Sequence, residues 1–308
     1  MKFITIILIL TQCFLCRILY SQCGCSGNSP EIALGNINEL YDNKSLTGNN
    51  LFINLLYKYT YADSYYYKDI NTGEGAIKDI TANFLDLRVS YKLNKQWIFE
   101  GEAGYFINKQ QRENLQDELF SSDGFSDITL YGRYIFLKNM NKNFELSGGS
   151  GVKIPVSEGV ENIPQNIQPS TGAYAFLINL FFKKYFPDLN MGMIVGNRSD
   201  YNFENKWQYR YGISSVSSIV FLYNATSLIN FGSELRGDYR ARDFYKDEKI
   251  CGSGFFAFSL SPIMRIFSGK FIFGLFFNIP VYQFYNGKQL ANKYSFGLNI
   301  SLNTRIFN

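Results

Sequence analysis

Apolar and polar residues alternate one by one along several stretches of the chain. The sharpest example is Phe84 to Leu93, where the odd positions are apolar or aromatic and the even positions include Asp86, Arg88, Ser90 and Lys92. A period of two is that of a β-strand whose faces meet different surroundings, because successive side chains point to opposite sides. A helix would scatter the charged residues around its whole circumference. The segment is therefore predicted to be a strand with one apolar and one polar face.

The same alternation recurs along most of the chain, in Leu51 to Tyr61, Trp97 to Ile107 and Asp127 to Phe136. An even number of strands, about 12 and within roughly 10 to 14, is predicted. One candidate changes phase near Ser217 and Ser218, which a bulge would explain. The further candidates are Phe144 to Ile154, Ala173 to Phe182, Leu189 to Gly196, Trp207 to Phe221, Leu228 to Arg242, Gly254 to Ile266, Phe271 to Tyr282 and Tyr294 to Ile306.

The connections between these segments alternate in length. Longer polar gaps follow the first, third and fifth strands, at Ala62 to Lys78, Asn108 to Asp123 and Val156 to Pro169, and shorter turns follow the second, fourth and sixth. Strands that cross an outer membrane need about 9 to 11 residues and are joined by short periplasmic turns and longer outer loops. The pattern predicts an all-β fold: a single transmembrane antiparallel up-and-down β-barrel in the outer membrane of a Gram-negative bacterium, with both termini periplasmic.

The first residues are typical of an export signal. Lys2 precedes an apolar run from Phe3 to Leu15, and Leu19 and Ser21 fit the positions before a cleavage site. We therefore expect a signal peptide at 1–21, an N-terminal periplasmic or plug segment at 22–47 and the barrel at 48–308. Ser29 and Pro30 form a helix-start signal, so the middle segment is either a short helix from Pro30 to about Tyr41 or a loose tail.

The amino-acid composition limits the reactions and partners that can be expected of the protein. The chain has no histidine, which excludes mechanisms that use imidazole as a base or metal ligand, and no spacing of the other residues singles out a nucleophile. We expect no enzymatic activity and no cofactor. Loss of Lys2 and Arg17 with the signal would leave 28 basic against 26 acidic residues, so no nucleic-acid partner is expected.

Cysteines suggest one further site. Cys23 and Cys25 would lie beside the new N-terminus, where adjacent thiolates are soft ligands suited to Cu(I) or Zn(II). The favoured alternative is a redox-active or idle pair in an oxidising compartment. Cys251 falls in a predicted outer loop, away from both, and is expected to remain unpaired.

Charged residues on the predicted inner faces are the other candidates. Between Asn230 and Arg242 the even positions form a ladder of alternating sign. Such a face either lines a polar pore or forms a paired charge network that fills a closed lumen. The lumen-lining candidates are Lys58, Asp86, Arg88, Glu100, Glu102, Asp127, Arg133, Lys153, Arg210, Glu234, Arg236, Asp238 and Arg240.

Several motifs resemble a known family of exported barrels. They are GFSDITLYGRYIF from Gly124, GGSGVKIP from Gly148, LSPIMRIF, NIPVYQFYNGKQL and an alternating segment that reaches Phe307. They resemble the outer-membrane barrel family named after the meta-pathway of phenol degradation, over roughly Leu51 to Asn308. The resemblance implies a transporter of small molecules, hydrophobic ones among them, and it supplies no catalytic residues.

Two functions follow as hypotheses. The first is a passive channel or transporter for small solutes, whose partners would be outer-membrane lipid, an unidentified solute and the barrel-assembly machinery. The second is a barrel with a filled lumen that acts as a structural or surface-interaction protein through its Tyr-rich loops.

Overall fold

The computed structural model describes residues 50–114, 117–159 and 163–305, and almost all of them lie in strands or turns. The expected signal peptide, the segment 22–47 and both of its cysteines lie outside these residues. The strands are β1 (Asn50–Lys68), β2 (Ile70–Gly73), β3 (Ile77–Lys92), β4 (Trp97–Glu113), β5 (Leu119–Asn139), β6 (Phe144–Ile154), β7 (Ala175–Phe186), β8 (Met191–Asn202), β9 (Tyr209–Arg210), β10 (Ser214–Asn224), β11 (Ile229–Arg240), β12 (Phe244–Tyr245), β13 (Glu248–Lys249), β14 (Phe255–Ser268) and β15 (Phe271–Arg305).

The long strands form one antiparallel sheet that closes on itself. Each pairs with its neighbour in the order β15-β14-β11-β10-β8-β7-β6-β5-β4-β3-β1, and β15 also pairs with β1. The short β2 extends β1 as a hairpin beyond the closed wall. Closure leaves no unpaired edge in the wall, so every strand can satisfy its backbone groups without water. The predicted fold class, a single antiparallel barrel, is confirmed.

The last strand doubles back. Its first limb, Phe271 to Tyr285, pairs with β14, and its second limb, Tyr285 to Arg305, pairs with β1. The two limbs touch each other, since Gln283 Nε2 donates to the Asn292 carbonyl over 3.1 Å and the rings of Phe277 and Tyr294 stack at 5.8 Å. Within the described residues the wall is therefore crossed twelve times, the number expected from the alternation.

Apolar side chains cover the outside of the barrel. Leu55, Leu87, Leu130, Leu235 and Leu298 are all between 43% and 55% exposed, as expected for a surface that faces lipid. Aromatic rings border this band at both ends. Near the short turns Trp97, Phe99, Tyr134 and Phe136 pack together, and at the opposite end similar pairs are Tyr61 with Tyr294, Tyr105 with Phe125 and Tyr201 with Phe203.

The separation of the two aromatic bands fits a membrane. Trp97 and Tyr105 lie on the same strand, eight residues apart. Eight residues of strand cover about 27 Å, which a tilt of about 40° reduces to roughly 20 Å along the barrel axis. This is close to the height of the apolar band on outer-membrane barrels.

The two ends of the barrel differ. At one, which we call the short-turn end, tight connections join β3 to β4, β5 to β6, β7 to β8, β10 to β11 and β14 to β15. At the other, the long-loop end, β9, β12 and β13 form a small separate sheet, and the β6–β7 connection, residues 155–174, contains a 3₁₀ turn at Gln165–Ile167. No helix among the described residues is long and apolar enough to cross a membrane.

Some strand limits differ from the prediction. The polar gaps at Ala62 to Lys78 and Asn108 to Asp123 are mostly strand, because β1, β4 and β5 continue past the aromatic band as hydrogen-bonded hairpins. Trp207 to Phe221 is not one strand, and the pairing of β10 runs without a shift through Ser217 and Ser218. The chain leaves the wall at Gly212, whose N–H donates to the buried Asp243 carboxylate over 2.7 Å.

Candidate functional site in the barrel interior

Most of the predicted inner-face residues lie inside the barrel. The alternation that exposes Leu87 turns Arg88 inward, and the same holds along the other strands. Asp86, Lys153 and Asp238 are half-buried on this face. The buried members are Lys58, Arg88, Glu100, Glu102, Asp127, Arg133, Glu234, Arg236 and Arg240.

Arg210 is the exception, because it does not lie on a strand of the barrel wall. It lies in β9, in the small sheet outside the wall, and its guanidinium stacks over the Phe244 ring at 4.2 Å. The expected strand Trp207 to Phe221 joined β9 to β10, and the break between them lies at residues 211–213 and not near Ser217 and Ser218. Nearby, burial raises the pKa of Tyr211 to about 12, and burial together with Asp243 raises the pKa of Tyr209 well above its usual value.

Glu102 is the centre of an ion-pair network that crosses the lumen. Its carboxylate is 2.8 Å from Arg88 Nη2 on the neighbouring strand β3. It is also 2.8 Å from Arg198 Nη1 on β8, which lies four strands away around the sheet. A contact between strands so far apart cannot follow the wall, so the two side chains meet across the interior.

Glu100 extends this network along the wall. It is 3.0 Å from Arg133 Nε, and it accepts hydrogen bonds from the Tyr131 hydroxyl over 2.8 Å and from Ser90 over 3.2 Å. The Tyr131 hydroxyl also lies 3.1 Å from Glu102 Oε1, which joins the two carboxylates. We call the group Arg88, Glu100, Glu102, Tyr131, Arg133 and Arg198 the septum.

Solvent exposure shows that the septum is the closed part of the interior. On its long-loop side the side chains of Asp238, Asp200 and Lys153 are 20%, 15% and 11% exposed. On its short-turn side the Glu145 side chain is 12% exposed. The side chains of Arg133 and Glu100 are 1% and 0% exposed. The accessible surface therefore decreases from both ends of the interior towards the middle of the septum.

An apolar cluster lies inside the barrel toward the short-turn end. Such a patch of inward apolar side chains narrows the lumen by packing rather than by charge. It is contributed by strands on the wall away from Glu100 and consists of Leu56, Ile194, Val220, Leu222, Ile263 and Phe276.

The β6–β7 connection folds against the inner wall at the long-loop end. Asp127 holds it, accepting hydrogen bonds from the Ser170 hydroxyl over 2.5 Å and from the Thr171 hydroxyl over 2.6 Å. Lys109 donates to the Gln168 carbonyl over 3.4 Å, and Ser122 donates to the carbonyl of the neighbouring Ile167. Asp127 thus anchors a loop as well as lying on the inner face.

The charge ladder on β11 contains two ion pairs between residues close in the chain. Arg236 contacts Asp238 on its own strand over 2.8 Å. Arg240 contacts Asp243 over 3.0 Å, and Asp243 also accepts a hydrogen bond from the Tyr209 hydroxyl over 2.5 Å. The Arg240 end of the ladder therefore fixes the loop after β11.

Sequence reasoning missed two inward arginines, Arg198 and Arg265. Arg198 was lost because the strand was ended at Gly196, whereas β8 continues to Asn202 in the same phase. Arg265 fits the inward phase of Ser261 and Ile263 in the LSPIMRIF motif. The alternation could have identified both residues. Nothing in the sequence pairs Arg198 with Glu102, because register gives only the contacts between neighbouring strands.

Metal-binding groups of three or more Cys, Asp or Glu are absent from the described residues. The described part of the chain contains Cys251 as a free, exposed thiol in the loop before β14. The weak metal site expected at Cys23 and Cys25 remains a prediction.

Comparison with known proteins identifies the fold. No protein-family model and no curated protein matches the chain. It is similar to the COG4313 outer membrane channel from Pseudomonas putida F1, with a TM-score of 0.70 and 10% identity over 85% of this chain and 99% of that chain. Weaker likenesses, both with a TM-score of 0.47, are to the NanC porin (11% identity, 82% and 98% covered) and to the translocator domain of the autotransporter NalP from Neisseria meningitidis (10%, 86% and 91%). The fold is that of outer-membrane β-barrels.

Proposed function

We propose that this protein is a passive outer-membrane channel for small solutes. The observation that carries the proposal is a charged interior that is partly accessible from both ends, inside a barrel with a continuous apolar outer band. When the septum opens, such a polar interior lets hydrophilic solutes move down a concentration gradient without entering lipid. The function needs no catalytic group and no cofactor, and we propose that the protein is not an enzyme.

The likeness to a solved channel supports the proposal without identifying the solute. The protein from Pseudomonas putida F1 is described as an outer membrane channel, and nearly its whole length matches this chain. The motifs around Gly124 and Gly148 add the resemblance to the phenol-degradation type family. We propose membership of that family, with the inner-face residues named above, apart from Arg210, lining the path.

The orientation follows from loop length. Bacterial barrels have short periplasmic turns and longer outer loops, so we propose that the short-turn end and both termini are periplasmic. Residues 22–47 would then lie at the periplasmic mouth. A solute from outside would first meet the small sheet β9, β12 and β13 and the β6–β7 connection, and then the septum.

A filled barrel is the second candidate. It is favoured by the burial of the septum and by the inward apolar cluster, which together resemble a core more than a pore. In that case the protein would act as a scaffold or surface-interaction protein.

Ion conductance separates the two candidates. Purified protein is inserted into planar bilayers, and single-channel current and reversal potential are measured under a salt gradient. Stepwise openings that disappear after heat denaturation support the channel. A correctly folded barrel, shown by faster migration on gels before boiling, that never conducts supports the filled barrel.

A further inference from the structure

Arg198 occupies a special place in the septum. The other five members lie on β3, β4 and β5, which are neighbours in the sheet, whereas Arg198 alone comes from β8. The Arg198–Glu102 contact is thus the link by which the septum spans the interior. Two other ion pairs of the septum, Arg88 with Glu102 and Arg133 with Glu100, lie along one side of the wall.

We propose that the Arg198–Glu102 contact is the constriction that sets the size and charge selectivity of the channel. This inference rests on the proposed function. The side chain of Arg198 is 9% exposed, and that of Asp200, two residues further along β8, is 15% exposed. The accessible surface along this face of β8 therefore decreases from Asp200 towards Arg198.

The charges around the contact allow it to open without collapse of the network. If Arg198 moves away, Glu102 still has Arg88 at 2.8 Å and the Tyr131 hydroxyl at 3.1 Å. Asp200, which also contacts Arg198, still has Lys153 at 4.0 Å. Neither carboxylate is left without a cationic neighbour. Arg198 is therefore the septum residue whose removal changes the opening and leaves the other ion pairs in place.

The neighbouring residues give the direction of the selectivity change. With Arg198 present, three guanidinium groups face two carboxylates in the septum. Without it the numbers are equal, and Asp200 and Asp127 lie just beyond on the long-loop side. Fixed charge at a constriction sets the local potential that permeating ions experience. Loss of Arg198 should therefore favour cations.

Bilayer recordings of three variants test the inference. Arg198→Ala removes the link, and we expect single-channel conductance to rise about threefold or more, with the reversal potential shifting toward cations. Arg198→Lys keeps the charge on a side chain that cannot contact a carboxylate in two-pronged geometry, and we expect a smaller rise in conductance and no change in selectivity. Lys138→Ala is the matched control: it removes a cation paired with Glu145 on the adjacent strand at the rim. It should behave like the wild type.

Four outcomes decide the question. Conductance and selectivity of Arg198→Ala equal to those of the wild type, in a barrel that still shows heat-modifiable migration, would overturn the inference and leave the channel function intact. A silent wild type with a conducting Arg198→Ala would support the septum as the closed point and contradict an open wild-type channel. Silence of both proteins would overturn both proposals. If Arg198→Ala does not fold, Arg198→Lys decides, since unchanged conductance in that variant contradicts the inference.

Discussion

Thr171 donates both its hydroxyl and its backbone N–H to Asp127, over 2.6 Å and 3.0 Å. These bonds join the β6–β7 connection to the inner face of β5, 44 residues earlier in the chain. Lys109 and Ser122 bind the same connection further along, so Asp127 is one of three inner-wall residues that hold it and the one that does so through its charge.

Asp127→Asn should release the loop. Hydrogen bonds to a charged group contribute about 1.5 to 3 kcal/mol each, so their weakening should make local opening at least about tenfold more frequent. Limited proteolysis of the folded protein in detergent, with cleavage sites mapped to residues 155–174, measures this. Asp200→Asn removes an inner-face charge that contacts Lys153 and Arg198, and serves as the control. Equal cleavage of the two variants would show that Asp127 does not hold the loop.

Leu87→Arg should impair assembly much more than Arg88→Leu. Leu87 is 43% exposed in the apolar outer band, where an arginine costs about 2 to 4 kcal/mol near the membrane centre. Replacing Arg88 with leucine leaves Glu102 in contact with Arg198 at 2.8 Å. The folded fraction in a gel-shift assay gives the comparison, with Leu87→Ala as a size control. Equal folded fractions for the two changes would mean that the faces of β3 are inverted.

Replacing the two arginines of the β11 ladder should have different effects, on stability for Arg240 and on ion selectivity for Arg236. Arg240→Gln removes the cation beside Asp243, whose side chain is 1% exposed, and breaking such a buried pair costs about 3 to 5 kcal/mol. Arg236→Gln leaves Asp238, which is 20% exposed and can be hydrated. We expect Arg240→Gln to lower the unfolding temperature clearly and Arg236→Gln to shift selectivity toward cations with little loss of stability. The reverse order of unfolding temperatures would contradict this assignment.

The wild-type protein should migrate faster on gels before boiling than after it. A closed sheet keeps its strands hydrogen-bonded in detergent until heat opens it. Samples at graded temperatures locate the transition. Val220→Pro, in the middle of β10, should lose the fast form because proline removes a ladder hydrogen bond. Identical mobility at all temperatures would argue against the closed wall.

The alternation of side chains was sufficient to predict the wall. In β3, Leu87 lies on the outer face and Arg88 on the inner face. A shift of the strand by one residue would turn Arg88 and the other polar residues towards lipid, so only one arrangement is stable. The same rule gives twelve crossings. It gave the wrong result at Trp207 to Phe221, where Gly212 and the buried Asp243 turn the chain out of the sheet.

Contacts across the interior could not be predicted in this way. Arg198 and Glu102 are separated by 96 residues and by four strands, and their meeting depends on the diameter and tilt of the whole barrel. The inward fold of the β6–β7 connection is similarly hidden, since Ser170 and Thr171 are ordinary loop residues in the sequence. The face on which a side chain lies follows from its neighbours in the sequence. The septum, in contrast, forms only when the whole barrel has closed.

The pairing of β1 with the second limb of β15 has a consequence for how the molecule forms. Ser301 donates to the Asn54 side chain over 2.7 Å across a separation of 247 residues. Contacts so distant in sequence form slowly, because the entropy of closing a very long loop must be overcome before they contribute. Until this seam is made, β1 and β15 present bare edges that other chains could join. We therefore expect the pairing of β1 with the second limb of β15 to be the late, rate-limiting step of folding. The open sheet that precedes this step is the species most prone to aggregation.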